Sequence, residues 1–372
     1  MPPLPPIRSK TSPFHAWIFL LLVALVAPLP AAAQATATLA LGAPRAGYAV
    51  VAAEFMSPSA IEATLPLLAS RGVGLVLDWP STELAAGTER YALVRRANAR
   101  GVEVRPWLLL PREQGYWPNS TNAREFDRAA RVLVDNWLAA GLAPATFVID
   151  MEMPLARAQR FADLAVALDI GGLTSFMREG INRSQYADAT RIYRELVDYL
   201  HSRGFRVELS TLTQVLDDYG DGDDGLRQAM NIPVSGVAWD VCTFQLYRTL
   251  NSFVLGGTLG PTTSYYVFDY ALLARQLFGG RAGVGIGMTD PGDLAPAAPT
   301  YANPTQLRED IDAASLAGIA RANIGLYNLR GIVRRTPSGD WFPARSAFIL
   351  PPLPDLPTVL THTTSRTLDL AL

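Results

Sequence analysis

Six times between residues 69 and 326 a helix-patterned stretch ends in glycine and gives way to a short apolar run. The junctions are Arg71-Gly72 before Val73–Leu77, Arg100-Gly101 before Val102–Leu110, and Ala140-Gly141 before Thr146–Met151. The others are Arg203-Gly204 before Phe205–Leu209, Gly279-Gly280 before Ala282–Met288, and Ala317-Gly318 before Asn323–Leu326. Glycine at these points suits the left-handed residue that ends a helix and releases the chain into the next strand. Helix starts agree: Ser57-Pro58 and Asn303-Pro304 place a capping residue before a first-turn proline, and Asn122 with Glu125 reads as a capping box. With Tyr48–Phe55 as a first strand and Val237–Leu246 as a sixth, the chain contains eight β/α units. Strands alternating with helices build a parallel sheet, and eight such units close into a (β/α)8 TIM barrel over residues 45–335. An open doubly wound sheet is the competing arrangement, but no G-x-G-x-x-G turn follows the first strand. Residues 336–372 are rich in proline and then threonine, and are expected to form an extended tail packing on the barrel.

The N-terminus follows a different logic. Arg8 and Lys10 precede the apolar run Ala16–Ala27, and Ala31-Ala32-Ala33 or Ala33-Gln34-Ala35 supplies a small-residue cleavage site. Residues 1–35 are therefore expected to be a signal peptide, and the mature chain to be secreted or periplasmic. The apolar run is shorter than the ~20 residues a membrane span requires, so no membrane attachment is expected after cleavage.

Residue usage narrows the chemistry. Lys10 is the only lysine, which removes Schiff-base chemistry and the phosphate-loop lysine from the mature chain. The histidines are His15, His201 and His362, too scattered for a His-dependent triad or a His-rich metal site. Cys242 is the only cysteine, so no intramolecular disulfide forms. A net charge of −2 without a basic run gives no reason to expect nucleic acid. Neither cofactor nor metal is expected, and the chain is expected to be a monomer. The acidic stretch Asp217–Asp224 lacks the spacing of an EF-hand and is expected to be a solvated loop. Carboxylates, tyrosines and amides remain to carry the chemistry.

The fourth strand offers the strongest candidates. Side chains on a strand alternate faces, so Val148, Asp150 and Glu152 point one way and Phe147, Ile149 and Met151 the other. Two acids thus meet at the C-terminal end of a strand, where parallel barrels place their active sites. Two close carboxylates push their pKa values apart, which divides acid from base. The other strand ends complete a polar mouth: Glu54, Asp78 with Trp79, Arg105 with Trp107, Glu208, Gln245 with Tyr247, and Tyr327 with Asn328. Trp79, Trp107, Trp117 and Tyr247 suit stacking against sugar rings. Glu103 and Arg206 are expected to pair inside the barrel, and Cys242 to be inert packing. The insertion Pro154–Ala189, ahead of a helix at Arg191–Leu200, is expected to be a lid or cleft wall. A metal site at Asp150, Glu152 and Glu208 is a weaker reading, because no histidine completes it. For a two-carboxylate mechanism, Asp78, Glu208 and Asp290 are the candidates for the second acid.

A β/α barrel with Asp-x-Glu closing strand four and Gln-x-Tyr closing strand six resembles glycoside hydrolase family 18, the chitinases and endo-N-acetylglucosaminidases. The resemblance spans the barrel as architecture and four residues as motif. It implies that Glu152 is the general acid, that Asp150 orients the substrate's acetamido group, and that Tyr247, paired with Gln245, hydrogen-bonds that group. In that family the acetamido group itself attacks the anomeric carbon. The chain departs from the pattern at Val148, where the full motif has an acid, and at Tyr327, where the family has tryptophan. The third strand also lacks the family's Ser-x-Gly-Gly. The expected function is an exported glycosidase acting on carbohydrate through Glu152. The alternative is a non-catalytic barrel binding glycan or cell-wall material in the same cleft.

Overall fold

The computed structural model describes residues 45–167, 169–254, 261–293, 297–335 and 339–372; the expected signal peptide lies outside them. Eight parallel strands close on themselves in sequence order. They are β1 Val50–Ala53, β2 Gly74–Pro80, β3 Val104–Leu109, β4 Thr146–Met151, β5 Arg206–Leu212, β6 Val241–Leu246, β7 Ala282–Gly287 and β8 Ile324–Tyr327. The (β/α)8 barrel is thus the architecture. Gly72, Gly101, Gly141, Gly204, Gly279 and Gly318 all take positive φ, as the helix-ending role demands. Ser57 accepts from the Ala60 N–H, and Asn303 accepts from those of Thr305 and Gln306, so both caps form. Among the described residues no helix is long and apolar enough to cross a membrane.

The parity of each strand decides what faces the barrel axis. On β4, Phe147, Ile149 and Met151 are sealed against the helices, while Val148 and Asp150 line the interior. On β6, Cys242, Phe244 and Leu246 face the helices and Thr243 and Tyr247 face inward. Burial pushes the Cys242 thiol up to about 12, which keeps it inert at neutral pH.

Four expectations change. Asn122 stands at the cap position, but its side chain does not cap the helix. Its amide donates to the Gln114 and Trp117 carbonyls and its Oδ1 accepts from Asn119 N–H, tying down the loop after β3. The insertion after β4 is a helical hairpin, Leu155–Val166 and Ile170–Gly180, and the helix that follows starts at Arg183 and runs to Ser202. Its polar residues serve the fold. Arg157 stacks 4.1 Å over Phe176 and donates to the Phe176 and Ala229 carbonyls, and Tyr186 donates to Ile232 O. The acidic stretch is not a solvated loop either, because Asp217 and Asp218 lie buried on the helix Gln214–Asp221. Asp218 pairs with Arg227 at 2.6 Å, and Asp217 takes bonds from Tyr270 and His362.

The tail is the fourth change. Asp355 caps a helix over Leu356–Leu370, with Pro357 in its first turn. Pro357, Thr358, Thr361, Ser365 and Leu368 form its buried face at helical spacing. Upstream, Trp341 and Phe342 pack under the barrel, where Tyr48 donates to Trp341 O. Phe348, Leu350 and Leu353 between them stay exposed.

Candidate active site

Strand parity gathers Glu54, Asp78, Trp107, Asp150, Gln245, Tyr247 and Tyr327 on the inward face at the C-terminal mouth, with Glu152 one residue beyond β4. Gln245 makes the central link: its Nε2 donates to Asp150 Oδ1 at 2.8 Å and to Glu152 Oε1 at 2.6 Å. Ser210, opposite Asp150 in the β4–β5 register, donates a second bond to Asp150 Oδ1 at 2.7 Å. Both acids are buried and neither has a cationic partner among the described residues. Desolvation therefore dominates. It pushes Asp150 up to about 7 against the bonds from Ser210 and Gln245. It also holds Glu152 well above the ordinary carboxylate range, helped by the charge of Asp150.

Glu54, at the end of β1, is held by two phenols. Tyr116 donates to Oε1 at 2.7 Å, and Tyr327 donates to Oε2. Burial lifts its carboxyl from 4.5 to about 7, with the two phenols pulling the other way. The Tyr327 ring lies 5.7 Å from that of Tyr247. The Tyr247 hydroxyl itself has no hydrogen-bond partner among the described residues, and burial raises its pKa.

Beneath these groups the barrel is not filled. Val50, Ala52, Val76, Gly285 and Gly325 present small side chains or none, leaving a cavity of about 60 Å³ bordered by Asp150, Trp107, Tyr247 and Tyr327. Barrels of this kind normally fill that space with branched side chains. The Trp107 indole N–H is buried here without a partner among the described residues. Ser210, Tyr116 and the inward glycines are the site elements that the sequence reading missed. Only strand parity pointed toward Ser210, two residues beyond Glu208.

Several candidates serve the scaffold instead. Trp79 is 0 % exposed and points outward, packed against Tyr91 and Trp137, so it offers no surface to a sugar. Asp78 is bound by Arg90 at 2.7 Å and by the Phe55 N–H. Arg105 and Glu208 pair at 2.7 Å one layer below Trp107, with Thr243 completing Glu208 and Glu103 bonding Arg105. Arg206, expected in that interior network, is exposed. Asn328 is buried and its Oδ1 accepts from Gly331 N–H, which holds the turn after β8. Asp290 is clamped by Arg330 and Arg334.

A parallel barrel with an uncompensated acid pair at its C-terminal mouth is the class that fold and site define. No family model matches the chain, and no curated protein matches it in sequence. Solved structures of similar fold include a GH18 chitinase from Pseudoalteromonas aurantia. Its identity is 11%, with 79% of this chain and 97% of that chain covered, at a TM-score of 0.47. Another is the PgaB (BpsB) glycoside hydrolase domain from Bordetella bronchiseptica, at 13% identity, 80% and 99% coverage, and a TM-score of 0.45. D-psicose 3-epimerase from Clostridium cellulolyticum H10 is a further similar structure, at 9% identity, 76% and 86% coverage, and a TM-score of 0.40. Likeness at this level carries no argument, and the function rests on the chemistry of the site.

Proposed function

We infer that the chain is an exported glycosidase in which Glu152 is the general acid and Asp150 and Tyr247 prepare the substrate. One observation carries the reading: both acids hang on the single amide of Gln245, buried and without a cation among the described residues. Two negative charges held so close in a desolvated site favour retention of one proton near neutral pH. Glu152 stands nearer the opening and suits delivery of that proton to a leaving-group oxygen. Asp150 lies against the cavity, where a ring substituent enters, and the free Tyr247 hydroxyl supplies a donor to the same place. The intermediate exposure of Trp117 at the rim gives a sugar a surface to stack on.

The test is a polysaccharide and oligosaccharide panel run with the mature chain and its Glu152→Gln variant. Removing a general acid costs about 10²- to 10⁴-fold in rate, so the variant is expected to release product at that deficit. A variant within a few-fold of the parent would transfer the acid's role elsewhere. Binding without turnover in the parent would favour the non-catalytic glycan-binding barrel.

A further inference from the structure

We propose that Glu54 is the second catalytic carboxyl of this site, taking the proton of the attacking water across the mouth from Glu152. The proposal rests on the glycosidase reading and supplies the group that reading lacks. Elimination points first. Each acid the sequence offered for this role is neutralised: Asp78 by Arg90, Glu208 by Arg105, and Asp290 by Arg330 and Arg334. Each of these carboxylates has an oxygen committed to a guanidinium, which leaves it less free to receive a water's proton, although at Asp78 burial raises the carboxyl in spite of Arg90. Glu54 pairs with no cation among the described residues; its neighbours are two phenols and the charges of Asp78 and Asp150.

Position points second. The barrel closes in sequence order, so β1 and β4 stand three strands apart around the mouth. Glu54 follows β1 and Glu152 follows β4. Tyr116, from the loop after β3, and Tyr327, closing β8, each occupy one lone pair of a different carboxyl oxygen. Each oxygen keeps a second lone pair for a water. Tyr327 also borders the cavity, so the Glu54 carboxyl sits directly behind a wall of the substrate space.

The chemistry closes without a further reactant. Glu152 gives its proton to the glycosidic oxygen as the bond from that oxygen to the anomeric carbon breaks. A water oxygen bonds to the anomeric carbon, and the water's proton passes to Glu54. Exchange with solvent then returns the proton count of both acids. No acetamido group on the substrate is needed, which separates this route from the substrate-assisted one.

Dinitrophenyl glycosides of common hexoses and N-acetylhexosamines provide the probe, since their leaving group departs without a proton. The parent is expected to release dinitrophenolate from at least one of them. Glu54→Ala is expected to fall about 10²- to 10⁴-fold, and azide, a small anion able to enter the vacated space, is expected to restore part of the rate. Glu54→Gln, which keeps the volume and one phenol bond, should be equally slow and gain nothing from azide. A Glu54→Ala variant within tenfold of the parent overturns the proposal. So does a folded Glu54→Ala variant, its circular dichroism intact, that azide leaves inactive, because a structural prop is not replaced by a small anion. A parent that releases dinitrophenolate from no glycoside removes the glycosidase reading itself, and this assignment with it.

Discussion

Asp150 and Glu152 share a single side-chain amide: Gln245 Nε2 spends one hydrogen on each, at 2.8 and 2.6 Å. The arrangement does more than hold two acids near each other. An amide donor favours the charged form of whatever it binds, so it opposes the desolvation that raises both carboxyls. The pair therefore titrates as one coupled unit whose position Gln245 sets from β6, two strands away.

Gln245→Met keeps volume and removes both bonds. The charged forms lose their donor, so both carboxyls rise further and the alkaline limb of activity moves to higher pH. Glu152 and Asp150 also lose their common anchor, and such misplacement costs about 10²-fold in rate at neutral pH. A pH–rate profile of kcat/KM checks this. An alkaline limb that stays in place would show that Gln245 does not tune the acid.

Stability should fall as pH rises across the acid range. Glu54 and Asp150 are lifted to about 7, so between their unfolded values and 7 the native state holds more protons than the unfolded chain. Under that inequality stability declines with rising pH. Asp310 is also lifted to about 7 by burial and contributes in the same window. Denaturant midpoints are expected to be higher at pH 5 than at pH 7.5. Glu54→Gln, which has no proton to lose, is expected to recover on the order of 3 kcal/mol of the difference. A parent midpoint that is flat or rising over this range would contradict the desolvated site.

A second, higher window belongs to His362. Its ring lies 4.1 Å from that of Tyr270, with Nδ1 on Asp217 and Nε2 on Asp269. Burial disfavours its charge, but the two carboxylates outweigh that and hold it at about 9. A folded pKa above the unfolded value of 6.5 means the contribution is full below 6.5 and is lost as pH rises through 9. His362→Gln is therefore expected to flatten the decline between pH 7 and 9 and leave the lower window unchanged. Hydrogen exchange in the C-terminal helix, followed over the same pH range, localises the effect.

The barrel was legible because its signal is repeated: every glycine-ended junction independently marks a helix giving way to a strand. The acid pair was legible because Asp150 and Glu152 belong to one strand, where parity alone fixes their common face. Trp79 shows the same rule applied too loosely. It adjoins Asp78, and the parity that turns Asp78 inward turns Trp79 out among the helices. The fates of Asp78, Glu208 and Asp290 were not legible. Their arginines come from elsewhere in the chain, Arg90, Arg105 and Arg330, and only the closed fold brings these together. Tyr116 escaped for the same reason, since a loop residue carries no parity to say where it points. The tail helix was hidden by its prolines, although Asp355 followed by Pro357 is also a valid helix start.

The cavity gives the last prediction. A Cβ built on Gly285 would meet Tyr247 Cε1 and OH at 3.8 Å and Gln245 Cα at 3.9 Å, all ordinary contacts. On Gly287 it would stand 3.0 Å from the Tyr327 carbonyl and 3.1 Å from the Tyr247 ring, so that position has no such room. Gly285→Ala should therefore fold, and by restricting the unfolded chain it should gain about 0.5 to 1 kcal/mol. The same methyl occupies the space bounded by Asp150 and Tyr247. If a substrate group enters there, one added methyl is worth about 1 to 3 kcal/mol of transition-state binding, or 10- to 200-fold in kcat/KM. The expected result is a more stable and markedly slower enzyme. Equal turnover by a stabilised Gly285→Ala variant would mean that substrate stays above the cavity, at the level of Glu152, and that the inward glycines serve only to seat the Tyr247 ring.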